Sequence, residues 1–201
     1  MRIYIDFDGT LFDTDKYEND FIKIYNKYGI NKNIFNKVSK RLFNNINLFD
    51  IEIITNYFIK NYNIDSKISK EIESLYNKDY IYKDVIPCLR KIKKLGYSLS
   101  ILTYGNKSFQ SKKIDSSNIS IYFDEIIITD SSKSKLNIDY KNSVFVDNNP
   151  KDIIDLYNIN PKKIIRIKRS TDKYIAINLE NSNIIECSDF YQITELLKGN
   201  N

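Results

Sequence analysis

The chain is 201 residues long, 42% hydrophobic and 28% charged, with a formal net charge of +5 at pH 7. That length suits one good-sized domain or a core domain carrying a smaller insertion, and the composition excludes a chain ruled by disorder. No apolar run approaches a membrane span and no signal peptide opens the sequence, so no membrane partner and a cytoplasmic location are expected.

Histidine is absent. This removes Ser-His-Asp and Cys-His catalysis and histidine-based zinc sites, so acid–base chemistry falls to carboxylates, Lys or Tyr. Cys88 and Cys187 lie far apart without metal-ligand spacing and are expected to be free, buried thiols. The positive charge suits an anionic substrate but is spread along the chain, as on a solvated Lys-rich surface, and a nucleic-acid partner is not expected.

The first twelve residues read MRIYIDFDGTLF. Ile3, Tyr4 and Ile5 predict a short buried strand that ends at Asp6. Asp8 follows, and Gly9-Thr10 form a turn before the apolar pair Leu11-Phe12. Two carboxylates this close at the end of an apolar strand are unfavourable unless a positive charge sits between them. A divalent cation would satisfy that need, and Asp oxygens are ligands that Mg²⁺ prefers. The plainer alternative is an Asp-rich turn without further role.

Beyond Phe12 the periodicity becomes helical. Asp13 or Thr14 can cap a helix bearing Phe21, Ile24, Tyr25 and Tyr28, and Gly29 is placed to end it. Further helices carry Ile34, Phe35, Val38 and Leu42; then Ile51, Ile54 and Phe58 behind Asp50; then Ile68, Ile72, Leu75 and Tyr76 after Asp65. Residues 14–80 thus form a helical block inserted into an α/β domain made of residues 1–13 and 81–201. The aromatic residues of the block, Tyr17, Phe21, Tyr25 and Tyr28 among them, serve its core or line a site.

From Asp84 strands and helices alternate. Pro87 suits the first turn of a helix with Leu89 and Ile92 that Gly96 ends. A strand over residues 97–102 runs into Thr103-Tyr104-Gly105-Asn106, and a helix over 107–114 follows. Later strands are predicted at 125–128, 143–146, 163–167 and 184–186, with helices at 151–157 and around 193–197. The basic run Lys162, Lys163, Arg166, Lys168 and Arg169 reads as a solvated edge strand. The pattern implies a mostly parallel, Rossmann-like sheet with helices on both faces, plus the inserted all-α block.

In such sheets ligands bind at the carboxyl ends of the strands. Four strands here end in polar groups: Asp6 with Asp8, Thr103, the loop bearing Lys133 and Lys135, and Asp147. These are groups able to hold a metal and a phosphate. On these residues the sequence resembles the haloacid dehalogenase (HAD) superfamily of phosphohydrolases. The family's DxDGT motif stands as Asp6-Phe7-Asp8-Gly9-Thr10 and its second motif as Ser100-Ile101-Leu102-Thr103. Its third, a Lys at the start of a helix, is Lys133 or Lys135, with Lys133 favoured because Leu136 and Tyr140 then share a helical face behind it. The fourth is Val144-Phe145-Val146-Asp147 with Asp152 beyond, and Asn148 stands where many relatives carry a second Asp.

The resemblance implies a Mg²⁺-dependent phosphatase acting on a small phosphorylated metabolite, with residues 14–80 as a C1-type cap. Asp6 would be the nucleophile and Asp8 the acid and base. Asp6, Asp147 and the Asp8 carbonyl would hold the metal, with Asn148 and Asp152 behind them. Thr103, Lys133 and backbone N–H groups around Gly105 and Gly9 would ground the phosphate. A phosphomutase would use the same aspartyl-phosphate, whereas a non-catalytic phospho-ligand sensor would be expected to have lost Asp6 or Asp8. A dehalogenase needs no acid at Asp8. Nothing in the sequence assigns an oligomeric state.

Overall fold

The computed structural model describes residues 1–43, 48–179, 181 and 183–199. Six strands, β1 (Arg2–Ile5), β2 (Ser98–Tyr104), β3 (Glu125–Thr129), β4 (Ser143–Asp147), β5 (Lys163–Ile167) and β6 (Ile184–Cys187), form a sheet among these residues in the order β3-β2-β1-β4-β5-β6. Every neighbouring pair is parallel. Parallel neighbours need a crossover, which helices supply.

Alternation along the strands sorts side chains to two faces. Ile3, Ile5, Leu99, Ile101, Val144 and Val146 meet Leu89 and Ile92 of α5 (Val85–Lys94) and Phe190 and Ile193 of α8 (Phe190–Lys198). Tyr4, Leu102, Phe145 and Ile164 face the other way, onto Ile153 and Leu156 of α7 (Pro150–Tyr157). Both cysteines are free and buried.

The strand order positions the site. The chain runs outward from β1 through β2 to β3, then returns to lay β4 on the other side of β1. Such a reversal opens a crevice at the carboxyl ends of the two central strands. Ile5 pairs with Val146, so Asp6 and Asp147 emerge side by side. The Asp6 N–H still donates to the Val146 carbonyl at 2.9 Å, which fixes where its side chain starts.

Between β1 and β2 stands the helical insertion: α1 (Thr14–Lys27), α2 (Lys32–Phe43), α3 (Ile51–Tyr62), α4 (Lys67–Glu73) and a 3-10 turn at Ser74–Asn77. Leu75 and Tyr76 lie in that tighter turn rather than in α4 itself. Asp13 caps α1 by accepting from the Lys16 N–H at 2.9 Å, and Asp50 caps α3 in the same manner. Past α1, Gly29 adopts φ +78°, a conformation that favours glycine. The interior of the insertion is aromatic, with Phe35 centred 5.1 Å from Phe21 and 4.8 Å from Tyr25. Tyr17, Phe21 and Tyr25 are buried core residues. Tyr28 is half-buried and donates its hydroxyl to Glu71.

Helix α6 (Lys107–Ser116) joins the sheet to the insertion, where Lys112 pairs with Glu52 of α3. No helix among the described residues is long and apolar enough to cross a membrane.

Two expectations are overturned. The segment after β3 forms only a 3-10 turn at Lys133–Lys135, and Leu136 is already extended, so no helical face runs from Leu136 to Tyr140. Tyr140 instead donates its hydroxyl to the carbonyls of Lys133 and Leu136 and closes the segment as a loop. The basic run is not a solvated edge: β6 covers β5, and both Arg166 and Arg169 are buried. Arg166 donates to the carbonyls of Tyr174 and Ile177 and pairs with Glu186, pinning the long β5–β6 connection. Arg169 donates to the Thr10 carbonyl and to Asp84, whose carboxylate also accepts the Phe190 N–H at 2.7 Å.

Candidate active site

Three carboxylates surround one ammonium at the crevice. Lys133 Nζ lies 2.6 Å from Asp6 Oδ1, 2.6 Å from Asp147 Oδ2 and 3.5 Å from Asp152 Oδ2. Lys133 is 3% exposed and Asp147 2%, so these charges interact with little screening from water. Lys135 is exposed. Burial and the Asp147 carboxylate hold the Asp6 carboxyl well above its ordinary range, with Lys133 opposing them. Burial works against the Lys133 ammonium, but Asp147 and Asp6 outweigh it and raise its pKa. Burial likewise raises Asp152.

The Asp147 side chain is held from behind, as its Oδ1 accepts the Asn149 N–H at 2.8 Å. Asn149 also caps α7 and donates to Asp152 at 3.2 Å, so one residue aligns both carboxylates. Asn148 turns elsewhere. Its amide donates to Asp172 Oδ2 at 2.8 Å and its carbonyl oxygen accepts from Thr10 at 3.4 Å.

That placement explains Gly9, whose φ is +75° and where a Cβ would stand 2.2 Å from Asn148 Nδ2. Left-handed backbone costs a non-glycine residue roughly 1–2 kcal/mol, and displacing Asn148 breaks a buried hydrogen bond worth roughly another 1 kcal/mol. Gly9→Ala is therefore expected to lose about 2–3 kcal/mol in urea unfolding. The double variant with Asn148→Ala should fall short of the sum of the two single losses, because it removes the clash; strict additivity would refute this account.

Asp8 belongs to a separate cluster. Lys113 of α6 pairs with its Oδ1, Thr14 donates to the same oxygen at 2.9 Å, and Gln110 Nε2 donates to Oδ2 at 2.6 Å. Burial pushes the Asp8 carboxyl up, but Lys113, Gln110 and Thr14 outweigh it and bring it below the ordinary value. Gln110 also donates to Thr103 Oγ1 at 3.3 Å, so Thr103, 1% exposed, is free to direct its own proton elsewhere.

A cavity of about 180 Å³ gathers Asp6, Asp8, Thr103, Lys133, Asp147 and Asp152. A second, of about 260 Å³, opens under the insertion between Phe21, Phe49, Tyr104 and Phe109. Asp8 and Thr14 line both chambers. Gly105 lines the second one, and its N–H is committed to the Thr129 carbonyl at 2.9 Å. The Gly9 N–H is likewise committed, to the Phe12 carbonyl at 2.8 Å.

Lys113 and Gln110 escaped the sequence reading. Their signal was the composition of α6, whose buried positions Phe109, Gln110, Lys113 and Ile114 form one face at helical spacing although two of them are polar. A polar residue on the face that must be buried needs a partner.

Comparison with known proteins agrees with this architecture. Residues 3–154 match the family model of the haloacid dehalogenase-like hydrolases. No curated protein matches the chain. The fold is similar to that of a HAD phosphatase from Thermococcus onnurineus (TM-score 0.66, 22% identity, 98% of each chain covered). It is also similar to the magnesium-bound HAD-hydrolase YfnB from Bacillus subtilis (TM-score 0.66, 12% identity, covering 98% of this chain and 97% of that one). The L-2-haloacid dehalogenase of Xanthobacter autotrophicus aligns as well, with TM-score 0.67 and 16% identity over 100% of this chain and 99% of that one. With a family model spanning most of its length, a parallel six-stranded sheet and a helical insertion after β1, the chain belongs to the haloacid dehalogenase-like hydrolases.

Proposed function

We propose that the protein is a Mg²⁺-dependent phosphatase for a small phosphorylated metabolite, working in the cytoplasm through an aspartyl-phosphate on Asp6. In this reading residues 1–13 and 81–201 are the catalytic core and residues 14–80 the cap. The carrying observation is the position of Asp8, which lines both the chamber holding Asp6 and the chamber under the cap. A phosphoryl group beside Asp6 would place its leaving oxygen toward that boundary. A halide departs without a proton, whereas an alcohol needs one, so an acid at this boundary favours phosphate ester cleavage over dehalogenation.

The donor set suits a divalent cation. Three carboxyl groups face one ammonium at the crevice, so acidic groups outnumber the cation there. Among the described residues no group of three or more His, Cys, Asp or Glu side chains could hold a metal ion by itself. Mg²⁺ commonly takes one or two carboxylates and completes its shell with water and phosphate oxygens, which fits Asp6, Asp147 and the Asp8 carbonyl. When bound, it supplies positive charge to the transferring phosphoryl group.

The remaining steps fall to the chain itself. The negative phosphoryl group beside Asp8 works against Lys113 and raises the Asp8 carboxyl, so that Asp8 enters the step protonated. An Asp6 oxygen attacks phosphorus as the bond to the leaving oxygen breaks, and Asp8 gives that oxygen its proton. Asp8, now a carboxylate, takes a proton from water as the water oxygen attacks phosphorus, and the Asp6–phosphorus bond breaks. Lys133 and the Thr103 hydroxyl hold the phosphoryl oxygens throughout.

The test is phosphate release from p-nitrophenyl phosphate and a panel of phosphorylated metabolites, with Mg²⁺ and with EDTA. Release that stops in EDTA is the expected result. Halide release from 2-haloacids, with no phosphate from any ester, would overturn the proposal.

A further inference from the structure

The Asp8 carboxylate is gripped at both oxygens, and most of that grip comes from one helix outside the residues that define the family motifs. Lys113 and Gln110 lie one turn apart on α6, so both reach inward from the same face. Lys113 pairs with Asp8 Oδ1 and also donates to Gln110 Oε1 at 3.1 Å. That second bond sets the amide orientation of Gln110, whose Nε2 then donates to Asp8 Oδ2 at 2.6 Å and to the Tyr104 carbonyl at 3.1 Å. Ammonium, amide and carboxylate close a triangle that leaves the carboxylate little freedom to rotate.

Packing alone does not call for a lysine here. Lys113 is 3% exposed, and its ammonium lies 5.3 Å from the ring centre of Phe7, 4.8 Å from Phe12, 5.1 Å from Phe109 and 6.0 Å from Tyr17. An apolar side chain would fill that cage without burying a charge. The aromatic faces make the ammonium tolerable, and among the described residues its carboxylate partner is Asp8.

We propose that Lys113 and Gln110 are positioning residues that aim the Asp8 carboxyl at the leaving-group oxygen. The inference rests on the phosphatase reading above. Neither residue touches the phosphoryl group; both act through where they hold the Asp8 carboxyl group. The demand for the Asp8 proton depends on the alcohol expelled. An acidic phenol leaves almost unaided, whereas an alkyl alcohol leaves only when protonated, so misaiming Asp8 selectively harms alkyl esters.

The experiment measures kcat and KM of the full chain with Mg²⁺ on p-nitrophenyl phosphate and on an alkyl phosphate ester, for wild type, Lys113→Met and Gln110→Met. Methionine suits an aromatic cage. Lys113→Met is expected to lower kcat about tenfold on the aryl ester and about a thousandfold on the alkyl ester, with KM changing less than about threefold. Gln110→Met should show the same selective loss and carries the test if Lys113→Met does not fold. Equal losses on both esters, or a loss confined to KM, would overturn the proposal while leaving the phosphatase reading intact. A folded wild-type chain that hydrolyses neither ester nor any metabolite would sink that reading and this inference with it.

Discussion

Replacing Lys133 by methionine is expected to destabilise the fold by about 3–5 kcal/mol in metal-free buffer, the loss typical when one partner of a buried ion pair is removed. Asp6, Asp147 and Asp152 all face this one ammonium. Asp6 and Asp147 are themselves buried, so their mutual repulsion is poorly screened once the ammonium is gone. A cation that binds the folded protein recovers stability in proportion to the logarithm of its concentration over its dissociation constant. Millimolar Mg²⁺ should therefore raise the melting temperature of Lys133→Met more than that of the wild type. The check is thermal and urea unfolding of both proteins in EDTA and in Mg²⁺. Identical stability in all four conditions would show that the carboxylates are not held by charge. Under the proposed mechanism, turnover of the variant should fall by about 10²–10³-fold even with Mg²⁺, because that mechanism uses Lys133 as a donor to the phosphoryl oxygens.

Asp6→Asn is expected to behave in the opposite way, abolishing phosphate release while keeping the fold. The amide is nearly isosteric but is no nucleophile, and loss of a nucleophile reduces turnover by roughly 10⁴-fold or more. Its effect on stability should be small, within about 1 kcal/mol in EDTA. The substitution weakens one contact to Lys133, yet it also relieves the repulsion between Asp6 and Asp147. Stabilisation by Mg²⁺ should shrink, since the proposed metal site would exchange a carboxylate for a neutral amide. The pair of measurements is phosphate release together with melting temperature across a Mg²⁺ titration. Turnover close to wild type would remove Asp6 from the role of nucleophile, whatever the metal does.

The sheet and its insertion were legible because their signals are local. Ile3–Ile5 and Val144–Val146 are buried on both faces of the sheet, so they read as apolar runs, and each is followed by an aspartate whose place at the crevice follows from the strand order. Lys133 stands beside Asp6 and Asp147 for a reason the sequence did not supply. The expected helix is absent, and Tyr140 locks a loop instead. Lys113 and Arg169 were harder to find because a buried charge is identified only by its partner, and Asp8 and Asp84 are distant from them in the chain. Arg166 looked solvated since the strand covering it begins only at Ile184, well beyond the end of β5 at Ile167. Gln110 and Lys113 looked like an ordinary polar helix surface until the face shared with Phe109 and Ile114 was known to be buried.

The tie between Arg169 and Thr10 has a further consequence for how the molecule comes into being. Protein synthesis delivers Asp6 and Asp8 first, but Lys113 follows Asp8 by 105 residues, Lys133 follows Asp6 by 127, and Arg169 follows Thr10 by 159. β1 emerges early yet lies in the middle of the sheet, so both its hydrogen-bonding edges wait for strands not yet translated. Contacts this remote slow folding because the intervening chain must be ordered before they form. The helices of the insertion, built from neighbours in sequence, can close while the strand before them is still unpaired. A nascent chain therefore carries Asp6 and Asp8 through 105 or more further residues of synthesis without the cations that steady them, and Arg169 reaches back to the Thr10 carbonyl later still.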